Sequence, residues 1–146
     1  MPRTASDSKQ SFQSSALRRR LLAINTSSIG RQRVKYSHLG VPTRSRFDGE
    51  IDLPHLRMTI SDHRRNPFGI QLQRYWEDAP YPELVKTVPH VAFEVENLSA
   101  ALEGQRIIIH PNRPSEGLLV AFIEMDGVPV ELMQFDSEET SKEMDS

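Results

Sequence analysis

Two histidines and two oxygen donors recur along this chain in the order His38, Gln71, His90, Glu131. The histidines stand near the starts of the runs YSHLGVPT and VPHVAFEV, and the oxygen donors stand within GIQLQRYW and PVELMQF. All four runs are rich in β-branched and aromatic residues and read as strands. Two imidazoles, a carboxylate and an amide oxygen make a shell for one divalent ion, Zn²⁺, Co²⁺, Ni²⁺ or Mn²⁺, with positions left for water or substrate. Each residue alone has an ordinary reading, a satisfied strand histidine or a solvent-face glutamate. The metal reading rests on their joint recurrence, as though a half-sized motif were written twice.

Such a site needs strands that turn the donors to one face. In HVAFEV, Val91, Phe93 and Val95 alternate with His90, Ala92 and Glu94, so packing the first set on a helix aims the second at the opposite face. In the last run Val130, Leu132 and Gln134 oppose Glu131, Met133 and Phe135; earlier, Gln71, Gln73 and Tyr75 oppose Ile70, Leu72 and Arg74. A curved sheet with His38, Gln71, His90 and Glu131 on its concave face would converge four ligand atoms in a partly apolar cleft. Tyr75, Phe122, Met133 and Phe135 would line it, and Arg57 could hold a substrate carboxylate there, its alternative being a surface salt bridge.

The first unit, from residue 34 to about 80, comprises a strand over Val34 to Val41, a connection over Pro42 to Pro54, an alternating segment over His55 to Ser61, and the Ile70 strand after a turn over Asp62 to Pro67, in which His63, Arg64 and Arg65 read as exposed. A linker with one helical turn at Glu83 to Lys86 follows. In the second unit, 88 to 135, Asn97 caps a short helix over Leu98 to Glu103 that stops at Gly104. Ile107 to His110 reads as a strand, Pro111 to Gly117 as a loop, and Asp126-Gly127 as the hairpin turn between the last two strands. Arg113 in that loop could meet an anion or simply be solvated.

The flanks differ from this domain. Residues 1–33 read as a flexible segment with a short helix over 16–25, and 136–146 as a disordered acidic tail. The Arg18, Arg19, Arg20 run reads as a solvated helix face, a mitochondrial presequence being the alternative to a cytoplasmic location. With 18 basic and 20 acidic side chains the net charge is −2, which gives no bulk attraction to nucleic acid or anionic lipid. There is no cysteine, so thiolate ligands and disulfides are excluded. No apolar run approaches the roughly 20 residues of a membrane helix, and no glycine-rich phosphate loop is present. The expected partner is a small molecule.

From about Val34 to Phe135 the chain resembles the vicinal oxygen chelate superfamily, also called the glyoxalase and bleomycin-resistance fold, most specifically in HVAFEV and in AFIEMDGVPVELMQF. The resemblance implies an α+β fold, two paired βαβββ-type modules forming an open barrel-like cleft, with metal ligands on the first and last strand of each module. His38, Gln71, His90 and Glu131 fall on those positions, an order that looks like methylmalonyl-CoA epimerase, with glyoxalase I as a neighbour. It implies a metal-dependent isomerase or lyase that removes a proton next to a carbonyl, with Glu131 as ligand and base and Glu50 as a second base. The alternative is a metal-free small-molecule binding protein of the bleomycin-resistance type. The first module is abbreviated: the stretch between His38 and His55 lacks the long helix and is expected to lack one strand. That leaves Leu56, Met58, Ile60 and Leu72 as an apolar back face in need of cover, supplied by the N-terminal helix or by a second copy in a homodimer.

Overall fold

The computed structural model describes residues 32–137. The expectations for the N-terminal helix, its arginine run and most of the acidic tail lie outside them. Eight strands, β1 Val34–Pro42, β2 Ile51–Leu53, β3 Met58–Ile60, β4 Ile70–Tyr75, β5 His90–Val95, β6 Arg106–Ser115, β7 Leu118–Met125 and β8 Val128–Phe135, form one curled sheet in the order β2-β3-β4-β1-β5-β8-β7-β6. That order is symmetric about the β1–β5 seam. Each module sets its first strand parallel to its last, β1 on β4 and β5 on β8, and the two first strands run antiparallel to each other. The result is an α+β open half-barrel of two paired modules.

The helices are few and short. Pro82 precedes α1, Glu83–Thr87, which buries Val85. The Asn97 side chain accepts from Ala100 N at 3.0 Å and caps α2, Leu98–Ala101. Leu98, Ala101 and Leu102 pack on Val95, Ala121, Ile123 and Leu132 from the convex side of the second module. Each of these residues is less than a tenth exposed, so this is where apolar burial holds the sheet most firmly. On the concave side Ala92, Val120 and Met133 form a smaller cluster with Leu118 and Phe122.

The first module lacks a helix between β1 and β2, as expected, but not the missing strand. β2 is present as three residues, its Asp52 Oδ1 accepting from Thr59 Oγ1 at 2.7 Å across to β3. Three residues leave no periodicity to read. The back-face expectation also changes. Met58 pairs with Tyr75 and Ile60 with Gln73, so Leu56, Met58 and Ile60 line the cleft, whereas Leu72 remains on the outer side. The segment expected to alternate from His55 is interrupted because Pro54 opens a 3-10 turn and Arg57 ends it in the left-handed region. β6 runs through the stretch expected to be a loop, with prolines at 111 and 114 and three register shifts. An edge strand tolerates this, since its unpaired side demands no N–H donors.

Candidate metal centre and cleft

The ladder registers explain how the donors meet. Across the seam, His38 stands opposite Ala92, which in turn pairs with Glu131. His90 stands opposite Gly40, which pairs with Gln71. Each row therefore carries a histidine, a small residue and an oxygen donor, and the module symmetry exchanges the rows. The small central residues leave the concave face open between the rings.

His90 Nε2 lies 3.0 Å and His38 Nε2 3.4 Å from the same atom, Glu131 Oε1. The donor atoms of the three residues lie within 4.8 Å of one another, a cluster that could hold a metal ion. His38 is 4 % and His90 0 % exposed, so neither ring is a solvated surface histidine. Ser37 Oγ sits 3.0 Å from His38 Nδ1, an outer partner of the kind that orients a ligating imidazole. Burial pushes the Glu131 carboxyl up, but hydrogen bonds from His38 and His90 outweigh it and hold it lowered to about 2. The group is thus an ionised carboxylate between two neutral-capable imidazoles, a donor set that fits a divalent ion of intermediate softness.

Gln71 is buried, and its Oε1 accepts from Gln73 Nε2 at 2.7 Å. Gln73 Oε1 accepts in turn from the Tyr75 hydroxyl at 2.9 Å. The chain from Tyr75 through Gln73 orients the Gln71 amide and leaves its oxygen a second lone pair. Burial, with a smaller contribution from Glu131, raises the Tyr75 pKa, so this hydroxyl stays protonated.

A cavity of about 370 Å³ opens over the cluster, lined by His38, Gln71 and Glu131 at its floor and by Tyr75, Phe122 and Met133 on its walls. Its rim is joined by His55 Nε2 against the Pro114 carbonyl at 3.0 Å, which links the β3 side to edge strand β6. Four other residues considered from sequence lie elsewhere. Arg57 turns outward to an ion pair with Asp78 and stacks over Trp76 at 5.2 Å. Glu50 is taken up by Arg74 and Arg46, and Arg74 projects from the face of β4 opposite Gln73. Phe135, at the end of β8, is 53 % exposed and outside the cleft lining. Arg113 pairs with Asp136 at 3.2 Å.

His63 is the residue that sequence reasoning missed. Read as part of an exposed turn, it lies in the 3-10 turn His63–Arg65 capped by Asp62, which sends its ring into the cleft against His38, centroids 4.8 Å apart. Burial and then the His38 ring lower its pKa. Only the HRR turn marked it in sequence, and a turn does not say which of its side chains points inward.

No family model matches the chain, and no curated protein matches it in sequence. Among solved structures, a hypothetical protein from Bacillus halodurans C-125 is similar with a TM-score of 0.52 at 18 % identity, covering 72 % of this chain and 96 % of its own. Methylmalonyl-CoA epimerase from Mycobacterium tuberculosis is similar with a TM-score of 0.51 at 17 % identity, covering 73 % and 91 %. At these identities the likeness is one of fold: the chain has the paired βαβββ open barrel of the vicinal oxygen chelate kind.

Proposed function

We propose that the protein is a metal-dependent isomerase or lyase of the vicinal oxygen chelate superfamily, acting by proton abstraction next to a carbonyl. The observation that carries this reading is the convergence of His38 Nε2, His90 Nε2 and Glu131 Oε1 in one cluster, of which His38 and Glu131 line an apolar cleft. The fold shared with an epimerase supports it. His38, His90, Glu131 and Gln71 would hold one Zn²⁺, Co²⁺, Ni²⁺ or Mn²⁺. Such an ion, when bound, supplies positive charge beside two neighbouring substrate oxygens as negative charge develops on them. Glu131, ionised and without a cationic side chain of its own, can accept the proton on the oxygen not directed at the histidines. Glu50, neutralised by two arginines, has no such role in this arrangement.

A second reading has its own support. Glu131 Oε1 already partners the Nε2 atoms of both histidines, with His90 Nδ1 the buried atom left without a partner, so the cleft can stand without an ion and serve as a small-molecule binding site of the bleomycin-resistance type. Elemental analysis after purification without chelator, followed by deuterium exchange at the α-carbon of 2-methyl acyl thioesters and hemithioacetals, separates them. Bound metal and exchange that vanishes in Glu131→Gln support the enzyme; ligand binding with neither supports the binder.

A further inference from the structure

Among the described residues, no lysine or arginine lines the cleft. Its lining is Leu53, Leu56, Met58 and Ile60 from the first module, Leu118, Val120 and Phe122 from the second, and polar groups that are all neutral apart from Glu131 and the histidines. Most of those polar groups are spent on the protein: Tyr75 on Gln73, Tyr81 on the Leu56 carbonyl at 2.6 Å, and Asn112 Nδ2 on the His110 carbonyl at 2.9 Å. The nearby cations are spent elsewhere, Arg57 on Asp78 and Arg113 on Asp136. A carboxylate or phosphate carried away from the reacting oxygens would therefore lie against an apolar wall with no lysine or arginine of the described residues to pair it, and burying an unpaired charge is unfavourable. The volume of about 370 Å³ lies near the lower end of small-molecule sites.

We infer that the ligand of this cleft is a compact, uncharged α-hydroxy carbonyl compound with an aliphatic or aromatic body, its two neighbouring oxygens at Glu131 and His38 and its body against Met58, Phe122 and Met133. This deepens the proposed function and rests on it for the orientation of the oxygens. The apolar lining carries the choice of an uncharged body.

The test compares 1-hydroxy-1-phenylpropan-2-one with its para-carboxylate analogue by calorimetric titration into the full chain, with and without Mn²⁺. The neutral ketol is expected to bind at least about tenfold more tightly in both conditions, the discrimination an unpaired charge against an apolar wall produces. Leu118→Arg, which places a cation on the wall, should narrow or reverse that ratio. Equal or tighter binding of the carboxylate by the wild-type chain, tighter binding of methylmalonyl-CoA than of the ketol, or no binding of the ketol would overturn the inference. A ketol that binds with this preference but exchanges no α-proton leaves it standing while overturning the proton-abstraction reading.

Discussion

Gly40 faces His90 across the β1–β5 seam so closely that a Cβ on residue 40 would fall 2.2 Å from His90 Cε1. Its φ is not in the left-handed region, so the glycine is required by space rather than by backbone conformation. The imidazole occupies the volume a side chain would take, which seats it against the backbone and aims its Nε2 at Glu131.

Gly40→Ala should therefore displace the His90 ring. Overpacking of this kind costs about 1–3 kcal/mol, read as a lower urea midpoint, and metal affinity should fall with it. Unchanged stability and unchanged metal titration would show that the ring has room to move.

His90→Ala removes a donor that no neighbour replaces. Loss of an outer partner of a metal ligand already costs roughly 10–100-fold in affinity, and loss of the ligand itself is expected to exceed that. Calorimetric titration with Co²⁺ or Zn²⁺ is the measurement, and retention of wild-type affinity would remove His90 from the ligand set.

Acid should act on the metal-free protein through Glu131. Its carboxyl is lowered from an ordinary value of 4.5 to about 2. A depressed carboxyl contributes stability that is fully present above the unfolded-state value and is lost as pH falls through the folded one. The wild-type urea midpoint should thus decline between about pH 4.5 and 2 by more than that of Glu131→Gln. Parallel declines would mean that His38 and His90 do not hold the carboxylate.

Arg57→Gly should be tolerated. Arg57 sits at φ 55, where a non-glycine residue costs about 1–2 kcal/mol, and its exposed pair with Asp78 contributes roughly 0–1 kcal/mol. Stability should change by less than about 1 kcal/mol, and metal and ligand binding should not change. A clear loss of ligand affinity would return Arg57 to the cleft.

The outer face of the first module carries Leu39, Val41, Ile70 and Leu72 in adjacent registers with no helix of the described residues over them. Exposed apolar sheet drives association, so a homodimer is expected at micromolar concentration, weakened by Ile70→Asp. Light scattering that gives a monomeric wild type would reject it.

Much of the fold was legible because strand side chains alternate with period two. That period alone sorted His90 and Ala92 from Phe93 and Val95, and Glu131 and Met133 from Leu132, once an apolar set had to face a helix capped by Asn97. Asp126 and Gly127, both at positive φ, declared the β7–β8 turn by residue type. Sequence could not supply what depends on partners distant along the chain. A three-residue β2 exists only because β3 pairs with it, and β6 continues through two prolines only because it is an edge. Arg57 and Glu50 carry charges that could have served a substrate, and only the tertiary structure pairs them with Asp78 and Arg74 outside the cleft lining. The ring of His63 and the bare backbone of Gly40 acquire their meaning from His38 and His90, which tertiary packing alone brings beside them.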